Sequence, residues 1–292
     1  MNKKTFLKIA DINIGLDGCD YDYVKYRLRD YICSESCNNI EISYNENINI
    51  IKPEGEFVAQ NDYRIFIKEG TEYINYDILS KPESVTALMA SDKDWSQINA
   101  QLSDVETLGG ASLSVRLFNM LGEIFKYALI KRNGFVVHSS SLAYKNNGIL
   151  FSAPSGTGKS THTALWERVY KEDVEIINDD MPAIRKIDGV WNLCGTPWSG
   201  KSEKNTNKCV PLKAFVFLER GEKNELISLS AAQGVFRIMN QTLLPVYKEL
   251  MNEMMDNISD ALKNVPCYIL KCNISEEAPK IVKEGIINEN QQ

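Results

Sequence analysis

A glycine-rich turn carrying a lysine is the segment of this sequence best suited to chemistry. Residues 149–161 read ILFSAPSGTGKST, an apolar run that leads directly into the turn. Gly156 and Gly158 allow the backbone to curl so that successive N–H groups point at phosphate oxygens. Lys159 can reach the β- and γ-phosphates of a nucleotide, and the Ser160 hydroxyl can ligate Mg²⁺. The predicted phosphate-binding residues are Ser155, Gly156, Thr157, Gly158, Lys159, Ser160 and Thr161.

The sequence around this turn supports that interpretation. The full phosphate-loop motif has a glycine where Ala153 stands, so the turn alone is a weak signal. However, an apolar run of strand length precedes it, and a helical pattern follows from about Lys159 to Tyr170. The start of that helix would add its positive dipole end to the phosphate site. The alternative is a glycine-rich turn between a strand and a helix that binds nothing.

Two adjacent carboxylates follow the next predicted strand. Residues 174–177 are mostly apolar and end in Asn178, Asp179 and Asp180. Beside a phosphate loop, one carboxylate can hold Mg²⁺ while the other accepts a proton from an attacking hydroxyl. The alternative is that the pair belongs to a turn or caps a helix.

The two histidines both lie close to the predicted phosphate loop in sequence. His138 falls in a predicted strand over residues 135–144, which we expect to pair with residues 149–153 through a turn at Asn147-Gly148. That pairing would bring His138 beside the loop, either in support of the acidic pair or as a structural residue. His162 follows the loop on the predicted helix, where we expect a structural or solvent-facing role.

Taken together, these residues resemble the catalytic domain of HPr kinase/phosphorylase. His138, the loop from Ser155 to Ser160 and the Asp179-Asp180 pair occur in the order and approximate spacing of that family. The loop is also similar to that of ATP-dependent phosphoenolpyruvate carboxykinase, which shares the catalytic fold. The resemblance covers about residues 111–220 and implies an α/β P-loop kinase domain with a mixed sheet.

The resemblance also implies roles for individual residues. Asp179 would be the catalytic base, with His138 as its partner and Lys159 at the transferring phosphoryl group. Ser160 and Asp180 would ligate Mg²⁺, and the loop would hold the phosphates of ATP. Members of the family can form hexamers, so a homo-oligomer agrees with the resemblance.

One segment departs from the HPr kinase pattern. HPr kinases follow the acidic pair with a Glu-Ile-Arg-Gly-Leu-Gly segment, whereas residues 191–201 read WNLCGTPWSGK. In this the chain is similar to HPr-kinase-related proteins, whose substrates are mostly not HPr. Lys201 and Lys204 are predicted to face an acidic substrate or the transferring phosphoryl group. The alternative is a solvated surface loop.

Composition limits the classes of partner. The 292 residues carry a net charge of −6 and a pI near 5.2, which argues against nucleic acid as the main partner. We expect no signal peptide and no membrane span, and therefore a cytoplasmic protein. Seven cysteines without metal-ligand spacing predict reduced thiols and no zinc site.

The remaining sequence predicts two domains. Residues 1–110 alternate apolar and polar residues in short runs, which predicts a smaller β-rich N-terminal domain with a helix near residues 21–32. Gly109-Gly110 marks the predicted boundary, and an amphipathic helix over about residues 112–130 opens the catalytic domain, 111–292. The strongest hairpin signal is Asp188-Gly189.

Three functions agree with these patterns. The first is an ATP- and Mg²⁺-dependent kinase that phosphorylates a hydroxyl, most simply that of a serine, on a protein, a peptide or a metabolite. The second is a catalytically weak nucleotide-binding sensor that grips a partner protein. The third is a plain ATPase.

Overall fold

The structure is a computed structural model. It describes residues 4–34, 39–47, 49–70, 72–78, 84–104 and 110–288. Residue 288 is described by its backbone alone. The chain divides into two compact units, which are Met1–Lys131 with Pro245–Met251 and Arg132–Leu244 with Asn252–Gln292. We call them unit 1 and unit 2. Cys37 and Gly109 lie outside the described residues.

Unit 1 is built on a mixed sheet with eight strands among the described residues. Its order is β1-β2-β3-β8-β7-β6-β5-β4, with β2-β3 and β3-β8 parallel and the other pairs antiparallel. The strands are β1 (Thr5–Ile9), β2 (Ile12–Asp17), β3 (Ile40–Glu46), β4 (Glu56–Asn61), β5 (Arg64–Glu69), β6 (Glu72–Ile78), β7 (Val85–Ser91) and β8 (Gln97–Leu102).

The described residues of unit 2 form a second mixed sheet. Its main order is β12-β10-β11-β15-β14-β13-β9, and β17 pairs with both β15 and β16. The central pairs β11-β15 and β15-β17 are parallel. The strands are β9 (Gly134–Val136), β10 (Ser139–Tyr144), β11 (Asn147–Ser152), β12 (Val174–Asn178), β13 (Ala183–Ile187), β14 (Val190–Cys194), β15 (Cys209–Arg220), β16 (Glu225–Leu229) and β17 (Cys267–Cys272).

Helices flank these strands along the chain. The predicted helix at residues 159–170 is confirmed, and the predicted N-terminal helix ends earlier, with a 3₁₀ turn at Arg29–Tyr31. A 3₁₀ turn at Lys171–Asp173 follows α3, and a π-helical turn at Glu284–Asn288 follows α6. The α-helices are α1 (Asp22–Leu28), α2 (Leu113–Ile130), α3 (Lys159–Tyr170), α4 (Ala231–Met239), α5 (Lys248–Asn264) and α6 (Glu277–Lys283).

Helix α2 belongs to unit 1 because it packs on α1 and β8. The compact units therefore divide after Lys131, and not between residues 110 and 111. As a statement about domains that fold independently, the division into 1–110 and 111–292 stays a prediction.

The hairpin beside the phosphate loop differs from the prediction in two respects. Residues 135–144 form two strands rather than one, because β9 pairs with β13 and β10 pairs with β11 and β12. The turn between β10 and β11 lies at Lys145 and Asn146, whose φ values are 45° and 69°. Gly148 lies within β11, where a Cβ would meet the Leu193 and Val210 side chains at 3.0 Å. Close packing, and not a turn, requires this glycine.

Other strand predictions were partly right. The Asp188-Gly189 hairpin is confirmed, with φ values of 48° and 81°. The polar segment before the predicted boundary contains a strand that the sequence analysis did not predict, β8, whose Ile98, Ala100 and Leu102 are buried.

The cysteine prediction was wrong for one pair. Cys194 and Cys209 lie opposite each other on β14 and β15, and they form a disulfide. Their separation of 15 residues in sequence carried no recognisable spacing signal, because antiparallel pairing alone brings them together.

No helix among the described residues is long and apolar enough to cross a membrane.

Candidate functional site

The predicted phosphate loop connects β11 to α3. Gly156 and Gly158 have φ values of +77° and +116°, a region that side chains other than glycine rarely adopt. A Cβ at Gly156 would meet no atom within 4 Å, so backbone conformation rather than packing explains this glycine. No described side chain caps the start of α3 at Gly158. The first N–H groups of the helix are therefore available to an anion.

Lys159 is buried at the first position of α3. Its ammonium donates to the Ala153 carbonyl at 2.9 Å, and the side chain is 9% exposed. Burial lowers the pKa of Lys159, and the carboxylates of Asp180 and Asp179 act in the opposite direction.

Hydrogen bonds connect the start of α3 with the acidic pair. The Thr163 hydroxyl donates to the Ser160 carbonyl at 3.1 Å and lies 2.9 Å from the Ser140 hydroxyl, which donates to Asp179.

A serine on β10 fixes the side chain of Asp179. The Ser140 hydroxyl donates to Asp179 Oδ1 at 2.6 Å and lies 2.9 Å from the Thr163 hydroxyl on α3. Ser140 and Thr163 are both buried. Both partners are neutral hydroxyls, so they orient the carboxylate without supplying a counter-charge.

Asn178 shapes the turn that carries the acidic pair. This fully buried side chain accepts hydrogen bonds through Oδ1 from the N–H groups of Asp180 and Met181, at 2.9 and 2.7 Å. Its Nδ2 donates to the Thr196 carbonyl at 2.8 Å. One amide therefore orders the Asp179-Asp180 turn and attaches it to the segment after β14.

His138 lies between β9 and β10 and faces Asp180. Its Nε2 is 3.3 Å from Asp180 Oδ1, and the two side chains are 41% and 34% exposed. Its backbone N–H donates to the Gln241 carbonyl at 2.7 Å, and its carbonyl accepts from the Ser152 hydroxyl at 2.8 Å. The sequence resemblance implied that His138 is the partner of Asp179. In the structure Asp179 bonds to Ser140, and His138 contacts Asp180.

The segment from Gly195 to Lys208, which we call the β14–β15 loop, lies against the acidic pair. Gly200 has a φ of +63°, and a Cβ there would lie 3.2 Å from the Asp180 carboxyl group. The next residue, Lys201, is exposed. Lys204 pairs with Glu167 on α3 at 3.0 Å. That Lys201 and Lys204 face the substrate stays a prediction.

The described residues contain no group of three or more His, Cys, Asp and Glu side chains that could hold a metal ion. Mg²⁺ is commonly bound by one or two carboxylates together with substrate phosphates. The Ser160 hydroxyl and the Asp180 carboxylate fit that sparse donor set.

A cavity of about 580 Å³ opens beside the helix side of the phosphate loop. Gly158, Thr161 and Leu165 form one wall, and Leu218 and Ile274 supply further apolar surface. Arg220, also in the lining, donates to the Gly156 carbonyl at 3.2 Å. The cavity has the size and the apolar lining of a small-molecule pocket.

Sequence reasoning missed three of these residues. Arg220 belongs to a strand far from the loop in sequence. Ser140 lies nearer to the loop, but it contacts Asp179 across 39 residues, so no local pattern reveals this contact. Asn178 carried a usable signal, because an asparagine that ends a strand before a turn commonly bonds to the following N–H groups.

Comparisons with known proteins give one similar solved structure and one matching family model. Among solved structures it is similar to the Hpr(Ser) kinase/phosphatase from Coxiella burnetii, with 9% identity and a TM-score of 0.32 over 53% of this chain and 90% of that one. So low a score leaves a common topology unestablished. No curated protein sequence matches the chain.

A family model describes the chain more directly. Residues 106–283, more than half of the sequence, match the model of the SynChlorMet cassette protein ScmC. The matching family is not HPr kinase, so the membership of the HPr kinase family that the motifs suggested is not shown. The chain belongs to the ScmC family.

Proposed function

We propose that this protein is an ATP- and Mg²⁺-dependent kinase that transfers the γ-phosphoryl group to a hydroxyl, most simply that of a serine. The observation that carries the proposal is the hydrogen-bonded connection from the first turn of α3, through Thr163 and Ser140, to Asp179. A phosphate loop alone fits any nucleotide-binding protein, whereas a base and a metal ligand beside it suit transfer.

In this reaction the acceptor oxygen forms a bond to the γ-phosphorus, and the bond from that phosphorus to the β–γ bridging oxygen breaks. Asp179 takes the proton of the acceptor hydroxyl, and ADP leaves with the bridging oxygen. Ser140 holds Asp179 Oδ1 at 2.6 Å, which orients the carboxylate for this transfer. Positioning of this kind supplies much of the rate in phosphoryl transfer.

Charge on the phosphates would be balanced from several directions. Lys159, already desolvated, exchanges the Ala153 carbonyl for phosphate oxygens. Backbone N–H groups at the start of α3 and Arg220 add further positive potential. Mg²⁺, held by Ser160 and Asp180 when bound, neutralises phosphate charge. The nucleoside would occupy the cavity beside Thr161 and Leu165.

The test is transfer from γ-labelled ATP to host-cell extract that has been split into macromolecular and small-molecule fractions. We expect label on one acceptor with the parent protein. Asp179→Asn should abolish the labelling and leave MgATP affinity within about twofold, since it removes a base and not a phosphate ligand.

Two further variants are the controls. Lys159→Ala should be inactive, and Asp188→Asn, an exposed aspartate in the β13–β14 turn, should behave as the parent does. Transfer by Asp179→Asn at the parent rate would remove Asp179 as base. Tight MgATP binding without any transfer would overturn the kinase and favour the nucleotide sensor, and steady hydrolysis without an acceptor would favour the ATPase.

A further inference from the structure

A second cavity, of about 710 Å³, lies on the other side of the phosphate loop, against α4. We call it the α4 cavity. Ser152, Ala153 and Pro154, at the end of β11, form its edge nearest the loop. Apart from Leu218, which lines both, its lining residues differ from those of the first cavity, and the proposed reaction assigns it no role.

Contacts within unit 2 connect the α4 cavity to the reacting groups. Ala153 accepts the hydrogen bond of the Lys159 ammonium at 2.9 Å. Ser152 and Gln241, both in the lining, bond to the backbone of His138, whose ring faces Asp180. One residue of the cavity lining therefore bonds directly to Lys159, and two others bond to His138, which contacts Asp180.

The direction of a bound nucleotide distinguishes the two cavities. In a phosphate loop the backbone N–H groups at the helix start hold the α- and β-phosphates, and the lysine reaches the β- and γ-phosphates. Gly158 and Thr161, at the helix start, line the first cavity. Ala153, the hydrogen-bond acceptor of Lys159, lines the α4 cavity. The nucleoside end thus belongs to the first cavity and the γ-phosphate end to the second.

The lining of the α4 cavity is apolar and almost uncharged. Phe217, Leu229 and Ile269 line it, and so does Phe236, whose side chain is 67% exposed. Arg237 is the one ionisable side chain in this lining, and Glu219 neutralises it at 2.7 Å.

Amide groups complete the lining. Gln233, Asn240 and Gln241 belong to it, and amide side chains can both donate to and accept from a peptide backbone. A metabolite that carries carboxylates or phosphates would find no unneutralised cation in the lining. A peptide with a bulky apolar side chain finds hydrophobic walls and amide partners together.

We infer that the α4 cavity binds the phosphoryl acceptor, and that this acceptor is an uncharged peptide segment with a bulky apolar side chain next to the hydroxyl-bearing residue. The inference rests on the proposed kinase function and adds the substrate class and the subsite. Phe236 would pack on that apolar side chain and determine specificity.

The experiment uses the full chain and defined peptide mixtures. Each mixture holds one serine, capped termini and one class of residue beside the serine: aromatic, aliphatic, acidic, basic or small. With γ-labelled ATP we expect the aromatic and aliphatic mixtures to be labelled at least tenfold faster than the others. MgATP affinity is measured in parallel with each variant.

Two pairs of variants test the subsite. Phe236→Ala should lower kcat/KM for the apolar mixtures about tenfold, whereas Phe57→Ala, at an equally exposed phenylalanine in unit 1, should change nothing. Ala232→Glu places a carboxylate in the lining and should act similarly, while the adjacent, exposed Ala231→Glu should not. All four variants should bind MgATP as the parent does.

The outcomes separate this inference from the kinase proposal. If neither Phe236→Ala nor Ala232→Glu lowered kcat/KM for the apolar mixtures, the proposed subsite would be wrong. Preference for an acidic mixture, or label only on small-molecule alcohols, would overturn the substrate class. Label on an acceptor in the host-cell extract, but on none of the peptide mixtures, would overturn the peptide subsite and leave the kinase proposal standing. Failure to bind MgATP would overturn the kinase proposal and this inference with it.

Discussion

Each compact unit holds a cluster of charged side chains, and the two clusters are satisfied in opposite ways. In unit 1, Arg64 on β5 bonds to Asp77 on β6 and to Glu123 on α2, and the three side chains are only 15–22% exposed. Burial alone would lower the pKa of Arg64, but the hydrogen bonds and charges of Asp77 and Glu123 outweigh it and raise the pKa.

In unit 2 the cluster consists of Lys159, Asp179, Asp180 and His138, and neutral groups hold its lysine and its first aspartate. A carbonyl holds the Lys159 ammonium and a hydroxyl holds the Asp179 carboxylate, while Asp180 meets only an imidazole among the described side chains. Removing one member of a buried cluster whose charges neutralise each other leaves an uncompensated charge, which destabilises the fold. Charges held by neutral groups remain able to interact with a ligand. We therefore expect the unit 1 cluster to be structural and the unit 2 cluster to be functional.

The largest effect is expected from breaking the cluster in unit 1. Arg64→Ala leaves two largely buried carboxylates without their cation, which should cost about 3–5 kcal/mol of unfolding free energy. Urea unfolding, with hydrogen exchange of β5 and β6, measures it. Arg29→Ala, which removes an exposed arginine near Asp30, should cost less than about 1 kcal/mol. MgATP affinity should stay at the parent value in both, and a loss for Arg64→Ala below about 1 kcal/mol would contradict the structural role.

Breaking the cluster in unit 2 should have the opposite signature. Lys159→Ala should lower phosphoryl transfer about 10²–10³-fold, equivalent to about 3–4 kcal/mol of transition-state stabilisation. Stability should be unchanged or slightly higher, because the ammonium is desolvated and its pKa is lowered. Lys280→Ala, at an exposed lysine on α6, should alter neither quantity. If Lys159→Ala destabilised the protein as much as Arg64→Ala, the distinction between the clusters would fail.

The two clusters also differ in how far the sequence predicts them. The sequence signals around Lys159 are local. The apolar strand, the glycines of the loop and the helical pattern follow one another directly along the chain. The partners of the charges are not local. Ser140 reaches Asp179 across 39 residues, and Arg64 reaches Glu123 across 59. Sheet pairing and helix packing set these contacts, and single-sequence patterns do not encode them.

Where local signals failed, tertiary packing had overridden them. The Asn147-Gly148 pair is typical of a turn, yet the close side chains of Leu193 and Val210 require the glycine within β11. The disulfide between Cys194 and Cys209 depends on the register of β14 and β15, which the spacing of cysteines along the chain does not contain.

One titratable side chain outside both clusters adds a test of how burial affects charge. His162 is buried in unit 2. Its Nε2 accepts from the Trp166 indole at 3.2 Å, and burial lowers the pKa of His162 to about 3. Below its unfolded pKa near 6.5 the unfolded chain binds a proton that the folded chain refuses. Stability should therefore fall by about 1.5–2 kcal/mol between pH 6.5 and pH 5 from this group alone.

His162→Gln keeps an acceptor for the indole and removes the titration. We expect its urea-unfolding free energy to lose that part of the pH dependence. Trp166→Phe keeps the imidazole, so it should be less stable than the parent at every pH with the same slope. Identical slopes for His162→Gln and the parent would show that His162 is not held neutral by the fold.

The smallest effect is expected at the edge of the unit 2 cluster. Gly200 approaches the Asp180 carboxyl group, so the exposed Lys201 lies beside the acidic pair, whereas Lys204 on the same loop already pairs with Glu167. Lys201→Ala should lower the transfer rate about tenfold, or about 1.4 kcal/mol, with MgATP affinity nearly unchanged. Lys204→Ala is its matched control, because that lysine is neutralised as Arg64 is. Single-turnover transfer measured beside nucleotide affinity separates the two, and equal rates for Lys201→Ala and Lys204→Ala would confine the functional cluster to Lys159, Asp179, Asp180 and His138.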